Sequence, residues 1–139
     1  MNVSDYIRLA RPHHWVKNVI VLLPVVFAQR MDEPGAWALA AAAAAAFCLA
    51  SSGVYVLNDL RDRAADRLHP AKRDRPLASG RVRPAGAAAE AAILLAGGLA
   101  LSAVRPWLLP AAVGAYVALQ LCYTYYFKQK MILDVMCIA

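Results

Sequence analysis

The chain has 139 residues, of which 61% are hydrophobic, and 15 Lys and Arg against 9 Asp and Glu give it a net charge of +6. This apolar composition, with long uncharged runs, excludes an ordinary soluble domain and indicates a membrane protein. The basic residues fall between the apolar segments, where membrane topology places them, so the positive charge does not indicate a nucleic-acid partner.

Apolar segments separated by polar stretches predict four membrane-spanning helices. An amphipathic helix over residues 1–17 precedes them at the membrane surface, and Arg11-Pro12 is expected to bend or stop it. The predicted spans cover residues 16–29, 36–57, 85–104 and 107–127, with a polar loop over residues 58–84. Lys and Arg are concentrated in the N-terminus, in this loop and just after the fourth span. These three segments are therefore predicted to be cytoplasmic, in a protein of the cell membrane.

A further apolar stretch at residues 131–139 is far too short to cross a bilayer. We therefore expect the chain to be the N-terminal part of a longer protein. It would contain the first four helices and the start of the fifth helix of an all-α, multi-pass transmembrane bundle. A complete four-span protein with a short interfacial tail is the alternative.

Three aspartates directly after the second span suggest the chemistry. Asp59, Asp62 and Asp66 stand at i, i+3 and i+7, within an arc of roughly 60° on one face of an α-helix. They repel one another, and the macrodipole disfavours anions at this end of the helix. Mg²⁺ would remove that repulsion, since it binds one or two carboxylates together with substrate phosphates. The run predicts a magnesium-diphosphate site, and a solvated face of alternating charges is the alternative.

Basic residues follow the aspartates in the same loop. Lys72 and Arg75 suit phosphate binding, because Arg grips a phosphate with two hydrogen bonds and Lys acts as a point charge. Anchoring to anionic lipid headgroups is the alternative for such cations.

Two more polar groups are predicted on the same side of the membrane. Lys17 and Asn18 lie at the mouth of the first span, and polar residues at membrane depth usually face a cavity. Tyr123 and Lys128 lie at the end of the fourth span, where snorkelling to the interface is the alternative for Lys128.

The order of these residues resembles a known family. Asn58-Asp59-x-x-Asp62-x-x-x-Asp66 resembles the first aspartate-rich motif of the UbiA superfamily of intramembrane prenyltransferases. Three longer patterns resemble its polyprenyl-phosphate phosphoribosyltransferase branch. At the N-terminus the pattern is Arg11-Pro12-x-x-Trp15-x-Lys17-Asn18, and after the aspartates it is His69-Pro70-x-Lys72-x-x-Arg75-Pro76-Leu77-Ala78-Ser79-Gly80. At the end of the fourth predicted span it is Tyr123-x-x-x-x-Lys128.

The resemblance implies a reaction and roles for the residues. The reaction is Mg²⁺-dependent transfer of the 5-phosphoribosyl group from 5-phosphoribosyl diphosphate to a polyprenyl (decaprenyl) phosphate, for the synthesis of cell-wall arabinan precursors. Asp59, Asp62 and Asp66 would be the catalytic metal ligands. The substrate-binding residues would be Lys17, Asn18, Asn58, Lys72, Arg75, Tyr123 and Lys128. Whether the protein forms a homo-oligomer is left open.

Two other functions stay open. The same fold and metal site would serve transfer of a prenyl group from a prenyl diphosphate to an aromatic acceptor. A non-catalytic membrane module, such as part of a cation transporter, would want charges in mid-span. Lys17 lies at the mouth of the first span, and within the spans the only other charge is Glu90, near a polar end; this lack of mid-span charges argues against ion conduction.

Overall fold

The structure, a computed structural model, describes residues 2–104 and 107–127. Every regular element in these ranges is helical. The elements are α1 (Val3–Ala10), a 3₁₀ helix (Pro12–Leu22), α2 (Leu23–Phe27), α3 (Pro34–Leu68), α4 (Pro84–Ser102), α5 (Leu108–Cys122) and a π-helical turn (Tyr123–Phe127). Within the described ranges, three helices are long and apolar enough to cross a membrane: Pro34–Leu68, Pro84–Ser102 and Leu108–Tyr126. The predicted all-α membrane bundle is confirmed, while the predicted start of a fifth helix lies outside the described residues.

The segment predicted as the first span, residues 16–29, is not one α-helix. It consists of most of the 3₁₀ helix followed by α2, which has only five residues. Pro24 lacks the N–H that would continue a regular helical ladder from the preceding turn. The apolar composition therefore located a segment with exposed large apolar side chains but did not determine its hydrogen bonding. Upstream, Arg11 adopts a left-handed conformation (φ 52°, ψ 56°), and α1 ends at Ala10, as Arg11-Pro12 predicts.

The long helix α3 carries the aspartates beyond the apolar part of the chain. Its 35 residues span about 52 Å at 1.5 Å per residue, compared with about 30 Å for the hydrocarbon core of a bilayer. The helix continues through residues 58–68, which the sequence analysis had included in the polar loop although it placed the three aspartates on one helical face. It ends where His69 takes the extended conformation favoured by a residue before proline. The connecting loop is therefore confined to residues 69–83.

Small residues let α4 pack closely against α3. A Cβ atom added at Gly98 would lie 2.9 Å from the carbonyl oxygen of Ala46, and one added at Gly53 would lie 2.7 Å from Cγ of Leu95. Membrane helices commonly associate through such small residues, which allow their backbones to approach. This contact fixes α4 beside α3, and Val113 of α5 packs on the same region of α3.

The 69–83 loop folds back onto the last turns of α3. Arg63 donates a hydrogen bond to the carbonyl of Leu77 (3.2 Å), and Arg67 donates one to the carbonyl of Ala78 (2.9 Å). The buried cluster beneath the loop consists of Leu9, Val56, Leu77, Val82, Ala87 and Ala91. The loop is thus packed against α1, α3 and α4, and this packing positions its cationic side chains.

Candidate active site

Two of the three predicted aspartates are buried near the end of α3. Asp59 and Asp66 each expose only 4% of their surface. They point to the same side of the helix because seven residues make about two helical turns. A carboxylate buried to this degree must be paired with a cation or with hydrogen-bond donors.

Cations of the 69–83 loop pair with both of these carboxylates. Nη1 of Arg75 lies 3.1 Å from Oδ1 of Asp59 and 2.7 Å from Oδ2 of Asp66. Nζ of Lys72 approaches Oδ1 of Asp66 at 3.9 Å. The structure therefore brings together Asp59, Asp66, Lys72 and Arg75, which the sequence had placed in one site, and the arginine bridges the two carboxylates.

Arg11 is a site residue that the sequence did not identify. Its Nη2 donates a 2.6 Å hydrogen bond to Oδ1 of Asp59, and its guanidinium lies 5.3 Å from the centre of the Tyr55 ring. The left-handed backbone of Arg11 is uncommon for a residue with a side chain, and such conformations concentrate at functional sites. The available signal was the Arg-Pro pair, which had been interpreted as a helix stop and quoted as part of the family-like pattern, but without a role for Arg11.

The three aspartates are not grouped around one position as their spacing suggested. Asp62 is half-buried, whereas Asp59 and Asp66 are buried and joined through Arg75. In residues 2–104 and 107–127, no three His, Cys, Asp or Glu side chains are close enough to hold a metal ion. The physical reason is that arginine side chains, rather than a third carboxylate, lie next to Asp59 and Asp66.

Asn58 connects the aspartate end of α3 to the π-helical turn. Its Oδ1 accepts a 2.5 Å hydrogen bond from the hydroxyl of Thr124, which is itself buried. Tyr123 begins this turn and is half-buried, so the turn lies next to the site. π-Helical turns are rare and occur frequently at functional sites. Lys128, predicted to bind substrate, lies outside the described residues.

The 3₁₀ helix contributes polar side chains deeper in the bundle. Nε1 of Trp15 donates to the hydroxyl of Ser52 (2.9 Å), and Nδ2 of Asn18 donates to Sγ of Cys48 (3.3 Å). Lys17 is exposed and forms no ion pair with Asp59 or Asp66. Of the predicted pair, Asn18 therefore faces α3, whereas Lys17 does not join the buried cluster.

Desolvation is the main factor that lowers the pKa of His14 below 6.5, and the charges of His13, Lys17 and Arg11 add to it. The imidazole lies 5.1 Å from the ring of Tyr55. The cations that pair with Asp59 are therefore the guanidinium groups of Arg11 and Arg75.

Two cavities flank the 3₁₀ helix and α2, and only one is near the site. The larger, about 440 Å³, is lined by Arg30, Ala36 and Leu108 at the opposite end of α3, far from the aspartates. The other, about 350 Å³, is almost entirely apolar and is lined by Trp15, Asn18 and Cys48 among others. Because Trp15 bonds to Ser52, seven residues or about 10 Å before Asp59 along α3, this second cavity is the one next to the site.

The chain is similar to curated proteins that carry two different reaction names. It is 36% identical to a decaprenyl-phosphate phosphoribosyltransferase of Mycolicibacterium smegmatis, over 96% of this chain and 43% of the relative. It is 39% identical to the Corynebacterium glutamicum protein of the same name, over 96% of this chain and 42% of the relative. A digeranylgeranylglyceryl phosphate synthase of Methanoculleus marisnigri is 37% identical over 73% of this chain and 35% of the relative. The chain thus spans less than half the length of these relatives.

Residues 18–139 match the profile of the UbiA prenyltransferase family, and this match covers most of the chain. It includes α3 with its aspartates, the 69–83 loop and the π-helical turn. The expectation drawn from the aspartate-rich motif is confirmed: the chain belongs to the UbiA prenyltransferase family.

Proposed function

We propose that the intact protein transfers the phosphoribosyl group of 5-phosphoribosyl diphosphate to a polyprenyl phosphate, such as decaprenyl phosphate. The observation that carries the proposal is the pair of buried aspartates at the end of α3, surrounded by the cationic side chains of Arg11, Arg75 and Lys72. Such a mixture of carboxylates and cations suits a ligand that brings both a divalent metal ion and phosphate groups. The names of two relatives support decaprenyl phosphate as the acceptor and a phosphoribosyl group as the group that is transferred.

In this proposal Asp59 and Asp66 would hold Mg²⁺ after Arg75 leaves them, and Asp62, which does not lie beside them in this structure, would complete the carboxylate set on binding. The donor set fits, because carboxylate oxygens are the ligands that this hard cation prefers. The structure adds a second point in favour: the single cationic group of Arg75 reaches both Asp59 and Asp66, so the two carboxylates already face one shared position of positive charge. A bound Mg²⁺ would neutralise negative charge on the leaving diphosphate.

Arg75 and Lys72 are the residues that would exchange partners when substrate binds. Their side chains are 31% and 44% exposed, so both remain accessible from outside the buried pair. Each would leave its carboxylate and bind a phosphate oxygen, Arg75 with two parallel hydrogen bonds and Lys72 as a point charge. The Mg²⁺ that arrives with the diphosphate would then be the positive partner of the buried aspartates.

The remaining residues would position the substrates. Asn58 supports the metal-binding end of α3 through its bond to Thr124, and Asn18 and Tyr123 contribute polar groups beside the site. Lys17 and Lys128 would attract the anionic headgroups. In the reaction, the bond between C1 of the ribose and the diphosphate oxygen breaks, diphosphate leaves, and a phosphate oxygen of the lipid forms the new bond to C1.

The lipid acceptor also needs an apolar surface near the cationic end. The cavity of about 350 Å³ lined by Trp15, Asn18 and Cys48 offers one, so we propose that it receives part of the polyprenyl chain. The Lys and Arg distribution supports a cell-membrane location with the N-terminus and the aspartate end on the cytoplasmic side. A phosphoribosylated polyprenyl phosphate made there would serve synthesis of the cell wall.

The test is a transfer assay with the full-length protein in detergent or vesicles. Labelled 5-phosphoribosyl diphosphate and a polyprenyl phosphate should yield a labelled lipid only when Mg²⁺ is present. Asp59→Asn should abolish this product, whereas Arg73→Ala, a change at an exposed residue of the same loop, should not. Failure to form a labelled lipid in wild-type protein would disprove the proposed reaction.

Prenyl transfer from a prenyl diphosphate is the second candidate. The similarity to a digeranylgeranylglyceryl phosphate synthase favours it, since that name describes a different reaction within the same family. The same preparation should therefore be offered a prenyl diphosphate with an acceptor. Product from this pair alone would establish the second candidate in place of the first.

A further inference from the structure

Arg61 has a buried hydrogen-bond donor that the described residues leave unsatisfied. Its Nη1 atom is shielded from solvent and has no hydrogen-bond partner among the side chains and main-chain groups of these residues. A guanidinium is always charged at physiological pH, and a buried, unpaired donor on a charged group is costly. Such a donor therefore requires an explanation.

The surroundings hold Arg61 in place without using this donor. Its guanidinium carbon lies 5.0 Å from the centre of the Tyr125 ring, in the π-helical turn. One helical turn earlier on α3, Asn58 accepts the hydrogen bond from Thr124 of the same turn. Contact with a ring face fixes a guanidinium while leaving its N–H groups able to donate.

Other arginines nearby have their donors committed. Arg63 and Arg67 donate to main-chain carbonyls of the loop, and Arg75 donates to Asp59 and Asp66. Arg61 differs from them because a buried donor remains open. Arg61 lies at the same level of α3 as the predicted metal ligands Asp59 and Asp62, but on another face of the helix, the one that meets the π-helical turn.

We propose that Arg61 binds a phosphate group of one of the two substrates. The inference rests on the proposed function and adds to it a substrate-contacting residue on the face of α3 that meets the π-helical turn. A phosphate oxygen is the acceptor best matched to a guanidinium N–H, and a planar guanidinium held by Tyr125 is preorganised to donate to it. The phosphate belongs either to 5-phosphoribosyl diphosphate or to the polyprenyl phosphate, and the experiment distinguishes these sources.

The experiment compares Arg61→Met and Arg61→Lys in the full-length protein. Arg61→Met should raise the KM of one substrate about ten- to hundredfold, the range for losing a hydrogen bond to a charged group, while the KM of the other substrate stays unchanged. The substrate whose KM rises identifies the phosphate. Arg61→Lys should recover part of the loss, because Lys still supplies a positive charge. Arg30→Met is the matched control at the opposite end of α3, and it should alter neither KM.

A purely structural role for Arg61 predicts a different result. In that case Arg61→Met would lower the unfolding midpoint of the ligand-free protein and leave both KM values at the wild-type level. This combination of results would overturn the inference. Equilibrium binding of 5-phosphoribosyl diphosphate and of polyprenyl phosphate, each measured alone, separates this inference from the proposed reaction. If the wild-type protein forms no phosphoribosyl product, weaker binding of either probe by Arg61→Met still supports phosphate contact, and unchanged binding of both overturns it.

Discussion

Replacing Arg75 by alanine tests whether the buried aspartates depend on a loop cation. Arg75 donates to Asp59 at 3.1 Å and to Asp66 at 2.7 Å, and both carboxylates are 4% exposed. Among the ion pairs of the described residues, removal of Arg75 leaves Asp66 with only one, the longer contact to Lys72 at 3.9 Å. Asp59 keeps the hydrogen bond from Arg11.

The magnitude follows from this arrangement. Removing one partner of a fully buried ion pair costs about 3–5 kcal/mol. Arg75 is 31% exposed, and the two carboxylates keep one other cation each, so solvent and these cations reduce the loss. We expect Arg75→Ala to lower the free energy of unfolding by about 1–3 kcal/mol. Unfolding of the full-length protein by denaturant in mild detergent, followed by circular dichroism, measures it.

A second variant separates the ion pair from loss of side-chain packing. If Arg75 acts by neutralising buried charge, Asp66→Asn combined with Arg75→Ala should cost less than the sum of the two single changes. Arg73→Ala, at an exposed residue of the same loop, should leave stability within about 0.5 kcal/mol of wild type. An unfolding free energy for Arg75→Ala equal to that of Arg73→Ala would refute the reasoning.

Three further predictions address the site and the fold. Asp62→Ala should reduce transfer at least a hundredfold while the ligand-free unfolding midpoint stays near wild type; full transfer with Mg²⁺ still required would exclude Asp62 as a ligand. Gly98→Ala should destabilise the bundle, because the added Cβ would lie 2.9 Å from the carbonyl oxygen of Ala46. Gly114→Ala is the control: this position has open space around it, so the change should be neutral or stabilising by up to about 1 kcal/mol. Equal unfolding midpoints for the two variants would contradict the close packing. The pKa of His14 is lowered in the folded state, so the folded state takes up the proton less readily than the unfolded chain and stability falls as pH drops through 6.5. His14→Gln should flatten the pH profile of the unfolding midpoint there, and an unaltered profile would count against the lowered pKa.

The sequence was sufficient to predict the membrane bundle because apolar runs are a direct signal of spanning helices. It was less informative about where helices end. Residues 58–68 are polar, yet α3 continues through them until the chain approaches Pro70. In residues 16–29 the reverse occurred: the segment is apolar, but Pro24 and the 3₁₀ geometry prevent one regular α-helix. Hydropathy reports burial in lipid, whereas proline and backbone hydrogen bonds decide helix type and length.

The site was predictable where its residues are close in the chain and less so where they are distant. Asp59 and Asp66 share a helical face, and Lys72 and Arg75 follow them within one loop, so local spacing brought these four together. Arg11 meets Asp59 across 48 positions of sequence, a contact that spacing does not reveal. The same limitation explains why the sequence predicted a group of three carboxylates that the structure does not show. Nothing in the local pattern indicated that Arg11 and Arg75 would pair with Asp59 and Asp66.

The unbroken course of α3 from the bilayer to the aspartates has a consequence for how the protein responds to its lipid environment. A rod of about 52 Å that is anchored in lipid carries its reactive end at a height set by its own tilt. Thicker or thinner bilayers change the tilt of such a rod, through hydrophobic mismatch. Membrane thickness would therefore adjust how far the carboxylates stand above the headgroups and, if the proposed reaction takes place there, how easily its lipid acceptor and its soluble donor meet.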